Sequence, residues 1–235
     1  MGIVRCAERQ FTGHKSGTEL CRLRSPGRAR VFHHQGTKIK GLVIVRARAR
    51  DGRCRIISKV TKDKPKRYLG LDLSLSSPGF AVIEVADRKP RLITTAHVKT
   101  GSDDPQALRY ELIEAFALLF LREQLRAGPV EAIVRETWPP ARDYRQNDKI
   151  HGAWSAVDRA LSRYGCEVNV NLTPTTVKKT VTGNGKAEKA EVAAAVRRLL
   201  GLAEDYRFAT DDESDAAAVV LAYLIGQNLI DVKER

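Results

Sequence analysis

Four carboxylates, Asp72, Glu136, Asp212 and Asp215, are the residues of this 235-residue chain whose type and placement suit chemistry. Asp72 lies in the middle of an otherwise apolar run, Arg67-Tyr-Leu-Gly-Leu-Asp-Leu-Ser-Leu-Ser-Ser-Pro-Gly-Phe-Ala-Val-Ile-Glu84, which reads as a strand that turns and returns as a second strand. An ionised side chain there is costly to desolvate unless positive charge lies against it. The flanking sequence offers no Lys or Arg on that face, so a metal ion is the expected partner and further acids are expected to converge on it. Glu136 closes another apolar segment, and Asp212 and Asp215 stand at i and i+3 at the start of a helical pattern. That spacing puts both on one helical face, near an N-terminus whose dipole favours negative charge. Taken alone the last two would be a surface helix cap; with Asp72 and Glu136 they make a ligand set. Oxygen-only ligands suit a hard cation, Mg²⁺ or Mn²⁺, rather than zinc. Paired ions in such a cluster can activate a water and stabilise the leaving oxygen in an in-line attack on a phosphodiester.

The elements that must position these acids follow from pattern. Tyr68 to Leu73, Phe80 to Val85 and Leu92 to Lys99 read as an antiparallel meander with short turns. Asp104-Pro105 gives an N-cap with proline at the first helical position, and Leu108, Leu112, Ala115 and Leu119 recur at helical spacing until Gly128-Pro129. Residues 132–137 form a buried strand, 149–164 a helix ended by Gly165, and 166–172 another strand. Helices over 187–200 and 212–225 complete the domain. Three strands followed by helix, strand, helix, strand and helix is the order of an α/β RNase H-like fold, a five-stranded mixed sheet flanked by helices.

Charge divides the chain in two. The first 67 residues hold 19 Lys and Arg against 4 Asp and Glu, and the remainder holds 22 against 24. Residues 1–66 therefore read as a basic N-terminal extension before a near-neutral domain at 67–235, and a basic arm points to a polyanion such as nucleic acid. Residues 1–40 lack apolar periodicity. Residues 41–50 and 53–60 flank Asp51-Gly52, a two-residue turn of the kind β-hairpins use, with Arg46, Arg48 and Arg50 on one face of the ribbon. The scattered Cys6, Cys21, Cys54 and Cys166 argue against a disulfide framework, and Cys6, His14, Cys21, His33 and His34 make at most a weak zinc set. A reducing cytoplasm fits, and no apolar run is long enough to span a membrane.

At Leu69-Gly-Leu-Asp-Leu-Ser74, Ala132-Ile-Val-Arg-Glu136, Val177-Lys-Lys-Thr-Val-Thr-Gly-Asn-Gly-Lys-Ala-Glu-Lys189 and Asp212-Glu-Ser-Asp-Ala216, the chain closely resembles the RuvC family of Holliday junction resolvases. The resemblance covers about residues 67 to 226, and the Val177 to Lys189 block is its most diagnostic part. It implies catalytic acids at Asp72, Glu136, Asp212 and Asp215, two Mg²⁺ ions with Mn²⁺ able to substitute, a homodimer, and symmetrically paired nicks across a branched, four-way DNA junction. On that reading Asp72 bridges both ions, Glu136 and Asp215 hold one each, and Asp212 completes the shell or positions the water. Lys178 and Lys189 match lysines the family uses near DNA, with Lys179 and Lys186 adding charge, and Gly183-Asn-Gly185 is expected to let backbone approach a phosphate. After Glu136 the sequence departs from the family pattern: Trp138-Pro-Pro-Ala-Arg-Asp-Tyr144 stands where an apolar or aromatic wedge and Asn-rich sequence are usual. Trp138 is a candidate for stacking on a base or for core packing, and this loop leaves open a relaxed branched-DNA nuclease. An RNA-processing RNase H-like nuclease, an actin-like ATPase and a non-catalytic branched-DNA binder are the other readings.

Overall fold

The computed structural model describes residues 42–48, 54–60, 64–137 and 144–232. It divides into two units, Met1–Thr61 and Lys62–Arg235. Of the first, the described part is an antiparallel pair, β1 (Leu42–Arg48) and β2 (Cys54–Val60), with Arg48 opposite Cys54. A two-residue Asp51-Gly52 turn would set Arg48 opposite Arg55. The observed register, with Arg48 opposite Cys54, is one residue off that expectation. Arg46 and Arg48 are alternate positions of β1, whereas Arg50, the expected turn and Cys6, His14, Cys21, His33 and His34 lie outside the described residues.

The second unit is a five-stranded mixed sheet in the order β5-β4-β3-β6-β7. Its strands are β3 (Lys66–Asp72), β4 (Gly79–Ala86), β5 (Lys89–His97), β6 (Val130–Glu136) and the three-residue β7 (Val170–Leu172). β3, β4 and β5 are antiparallel neighbours, and β6 and β7 run parallel to β3. β3 is central and covered on both faces, which explains its near-continuous apolar run. One core lies between the sheet and helices α1 (Gln106–Ala127) and α2 (Tyr144–Ser162), around Leu69, Leu71, Phe80, Val82 and Ile133. The other lies under α3 (Pro174–Thr182), α4 (Lys189–Leu200) and α5 (Asp211–Gly226), around Tyr68, Ala81, Ile83, Val134 and much of α5.

Several elements differ from the pattern reading. Asp72 is the last residue of β3, not its middle. Pro105 has ψ 139° and so caps α1 rather than entering it, while Asp104 instead accepts a hydrogen bond from the Gly101 amide at 3.1 Å. The buried side of α1 is Arg109, Ile113, Ala117, Phe120 and Leu121, leaving Leu108, Leu112, Ala115 and Leu119 exposed. Both stripes are mostly apolar, so spacing alone could not choose between them. Of the strand expected over 166–172, only 170–172 pairs with β6. Helix α3 was not foreseen, although its cap is legible: Thr173 accepts from the Thr176 amide, Pro174 follows at the first turn, and Gly183 closes it at φ 86°.

Candidate active site

Side-chain alternation decides which face each acid occupies. Tyr68, Gly70 and Asp72 share the α5 face of β3, where the Tyr68 and Tyr223 rings lie 6.0 Å apart. A Cβ at Gly70 would stand 2.2 Å from the Ala216 carbonyl oxygen, so the missing side chain lets α5 lie directly on β3. Gly79, the cross-strand partner of Asp72, repeats the device one turn earlier: a Cβ there would stand 2.1 Å from the Asp212 carbonyl oxygen. These two contacts seat the first turn of α5 over the end of β3 and bring Asp212 and Asp215 to Asp72. On β6, Arg135 points the other way, donating to Asp158 of α2 at 3.0 and 3.2 Å and stacking 4.1 Å from the Trp154 ring centroid. Its neighbour Glu136 therefore falls on the α5 face, in the strand beside Asp72.

The electrostatics are those of crowded negative charge. Burial first, then Glu136, Asp215 and Asp212, push the Asp72 carboxyl well above its ordinary value, with Lys189 opposing. Burial and Asp215 lift Glu136 to about 7 against Lys178 and Lys189. Asp215 is lifted to about 6 by burial, which Lys189 and Lys178 counter and Asp212 and Asp211 reinforce. Burial alone would lower the Lys189 ammonium, but Asp215, Asp211, Asp212 and Asp72 outweigh it and raise its pKa. Its Nζ lies 3.7 Å from Asp211 Oδ2 and 3.8 Å from Asp215 Oδ2. The flanking sequence indeed offers Asp72 no cation, but a distant one acts on it: Lys189, in the first turn of α4, lowers the Asp72 carboxyl.

Among the described residues, no three Asp, Glu, His or Cys side chains are gathered into a ready-made ion-binding group. The donor set nevertheless suits a hard divalent cation, being all oxygen, and three of its carboxyls hold protons more tightly than usual, first because they are buried and then because neighbouring acids crowd them. A cation would relieve that crowding. The loop after Asp72 is fixed from behind: buried Arg109 donates to Thr100 Oγ1 at 2.9 Å and Ser76 Oγ at 3.2 Å, and Thr100 donates to the Leu75 carbonyl at 2.6 Å.

The model of the family described as "Crossover junction endodeoxyribonuclease RuvC" matches residues 68–223, a span holding all four acids. The chain belongs to the RuvC family. A RuvC from Campylobacter lari is 33% identical over 157 residues, which cover 67% of this chain and 94% of that relative. The solved structure of Thermus thermophilus RuvC superposes with a TM-score of 0.58 at 30% identity, covering 69% of this chain and 96% of that one. The same enzyme in complex with a Holliday junction substrate also gives 0.58, at 28% identity. The RuvC span leaves β1 and β2 outside it.

Within this RuvC domain the sequence-derived basic residues separate into two groups. Lys178 and Lys189 both act on the carboxyls of Glu136 and Asp215. Lys179 and Lys186 are exposed, on α3 and on the turn leading to α4. Gly183-Asn-Gly185 has a local explanation: Gly183 ends α3 in the left-handed region, and Asn184 Oδ1 accepts from the Lys186 amide at 3.0 Å. Trp138 lies outside the described residues. A surface hollow of about 590 Å³ is lined by His151, Trp154, Asp158 and Arg159 of α2, across the sheet from the acids, so it is not the site of this chemistry. Sequence reading missed Asp211 as a neighbour of Lys189, and missed Glu213 with Thr95 and His97. Gly70 and Gly79, two and seven residues from Asp72, were the available signal for a closely seated helix.

Proposed function

We propose that this RuvC-family chain is a metal-dependent endonuclease that resolves four-way DNA junctions, with Asp72, Glu136, Asp212 and Asp215 as its catalytic and metal-holding acids. The observation that carries the assignment is the convergence of these acids from three separate elements, β3, β6 and α5, with Gly70 and Gly79 letting the start of α5 lie on the end of β3. Mg²⁺, two ions per site with Mn²⁺ able to substitute, is the cation such hard oxygen donors favour. Bound there, the ions supply the charge that activates water and stabilises the leaving oxygen.

The chain's own residues do the rest. Asp72 is fixed by the sheet and Asp212 and Asp215 by the seating of α5, so little reorganisation is needed when substrate arrives. Lys178 and Lys189 offset the repulsion that four carboxylates would otherwise present to a phosphodiester. Lys179 and Lys186, exposed nearby in sequence, add positive charge suited to the DNA backbone. Arg46, Arg48 and Arg50 belong to the separate basic extension, residues 1–66, which would add non-specific affinity, and Trp138 would stack on an unpaired base. A homodimer fits a junction of two-fold symmetry that must be nicked twice. Among the described residues no helix is long and apolar enough to cross a membrane, and scattered cysteines with no C-x-x-C pair favour a reducing cytoplasm.

The test is purified protein with Mg²⁺ or Ca²⁺ on a four-way junction, a flap, a linear duplex and a matched RNA junction. Paired nicks on the DNA junction in Mg²⁺ are expected, with Asp72→Asn abolishing cleavage but retaining binding in Ca²⁺. Cleavage by Asp72→Asn at the wild-type rate refutes the assignment, and preference for the RNA junction transfers the chain to RNA processing.

A further inference from the structure

Glu213 lies between Asp212 and Asp215 in sequence, yet its side chain is directed into the fold and is among the few buried charged groups, with a residue exposure of 5%. Its Oε2 accepts from Thr95 Oγ1 at 2.7 Å and from the Ala209 amide at 3.3 Å, and its Oε1 pairs with His97 Nδ1 at 2.7 Å. Thr95 and His97 are alternate residues of β5 and so share the face turned to α5. His97 is paired with Gly79, and Gly79 with Asp72. One rung of the sheet thus runs Asp72, Gly79, His97, and the first turn of α5 meets it at each position. The acids gather at Asp72, the Asp212 carbonyl sits over Gly79, and Glu213 is bonded to His97.

This helix start has reason to need holding: its N-cap Thr210 makes no side-chain capping bond, although Asp211, Asp212 and Glu213 in the first turn suit the helix dipole. Asp212 and Asp215 also raise the Asp72 carboxyl, so this turn is seated against like charge. The only side-chain hydrogen bonds from this turn to a strand, among the described residues, are those of Glu213 to β5.

Building on the reading of the acids as the catalytic centre, we propose that Glu213, through His97 and Thr95, is a positioning tether that sets where Asp212 and Asp215 stand relative to Asp72. It touches neither substrate nor metal. A displacement of about 1 Å at reacting groups can cost on the order of 10²-fold in rate, so loss of the tether should appear in catalysis before it appears in binding.

The experiment compares wild type, Asp72→Asn, Glu213→Ala, Glu213→Gln and the pair Thr95→Val with His97→Ala. Each is measured for single-turnover cleavage of a four-way junction in Mg²⁺, junction affinity in Ca²⁺, and amide hydrogen exchange over residues 212–217. Glu213→Ala is expected to slow cleavage by on the order of 10²-fold, hold affinity within about threefold, and lose exchange protection over those residues. Glu213→Gln is expected to stay within about threefold of wild type: its amide oxygen can accept from Thr95 and Ala209, and its NH₂ can donate to His97 Nδ1 in the tautomer that carries its proton on Nε2. The Thr95/His97 pair is expected to slow cleavage, and to add little when combined with Glu213→Ala. Wild-type cleavage by Glu213→Ala overturns the proposal, and so does Glu213→Gln as slow as Glu213→Ala, because charge rather than bonding would then matter. If Glu213→Ala does not fold, the Thr95/His97 pair decides alone, and its cleaving at the wild-type rate overturns the tether. Failure of the functional reading is separately visible, as an intact junction with wild type or an active Asp72→Asn.

Discussion

Glu136→Gln should make the metal-free protein more stable at alkaline pH while destroying its activity. The Glu136 carboxyl titrates at about 7 in the fold against an ordinary 4.5, with burial the largest cause and Asp215 the next. A carboxyl raised in this way binds its proton more tightly folded than unfolded. Its contribution to stability is therefore present below about pH 4.5 and is lost as the pH rises through about 7. At pH 8 the loss is about 3 kcal/mol. Glutamine removes the charge but leaves a partly buried amide and gives up attraction to Lys178 and Lys189, so a net gain of about 1–3 kcal/mol is expected. For a domain of this size that raises Tm by roughly 3–10 °C. Calorimetry in EDTA at pH 8 and pH 5 is the assay, because at pH 5 the wild-type cost falls below about 1 kcal/mol and the gain should shrink with it. Added Mg²⁺ should narrow the difference, stabilising wild type by about 2.7 kcal/mol at a hundredfold excess over Kd and the variant by less. No gain at pH 8, or an equal gain at both pH values, refutes the picture of crowded, desolvated carboxyls.

Gly79→Ala places a Cβ against the Asp212 carbonyl, so it should cost about 1–3 kcal/mol in urea unfolding and lower junction cleavage well beyond that loss, by displacing α5 from Asp72. Lys189→Gln removes the ammonium that lowers the Asp72, Glu136 and Asp215 carboxyls; they should then hold protons to higher pH, and the rising limb of the pH–rate profile at subsaturating Mg²⁺ should move upward. Deleting residues 1–60 should weaken junction affinity and flatten its dependence on salt without changing the effect of Asp72→Asn, as read from titrations between 50 and 200 mM NaCl; an unchanged slope would mean the extension makes no phosphate contacts.

The order of elements and the four acids were legible because each leaves a local mark. Asp72 interrupts an apolar strand, Asp212 and Asp215 share a helical face, and the Val177 to Lys189 block is specific enough to indicate a family. What remained hidden depends on packing between distant segments. The buried face of α1 could not be chosen, since Leu108, Leu112 and Leu119 are as apolar as Ile113, Phe120 and Leu121 and only contact with the sheet distinguishes them. Lys189 was read as a DNA contact, and its place beside Asp211 and Asp215 follows from how α4 is laid against α5. Glu213 looked like one more surface acid in an acidic cap, because its partners Thr95 and His97 lie more than a hundred residues away.

Strand alternation makes the division of labour in this domain sensitive to register. Arg135 and Glu136 are consecutive, yet one binds Asp158 and Trp154 under α2 and the other faces Asp72 under α5. A one-residue slip of β6 against β3 would exchange them, putting a guanidinium among the acids and a carboxylate beneath Trp154. The second exchange is costly, because it sets a carboxylate beside Asp158 and leaves that acid without its guanidinium partner, while the first would put a fixed cation in the place of an ion. The Arg135 contacts across the sheet thus help fix the register that delivers Glu136. Asn169 does the same from outside the strands, its Oδ1 accepting from the Ile133 amide at 2.7 Å while its own amide donates to the Ile133 carbonyl at 2.9 Å. The face that carries the candidate acids is held in place by bonds formed largely at the strand edges and on the opposite face, which leaves those carboxyls available to the cation proposed for them.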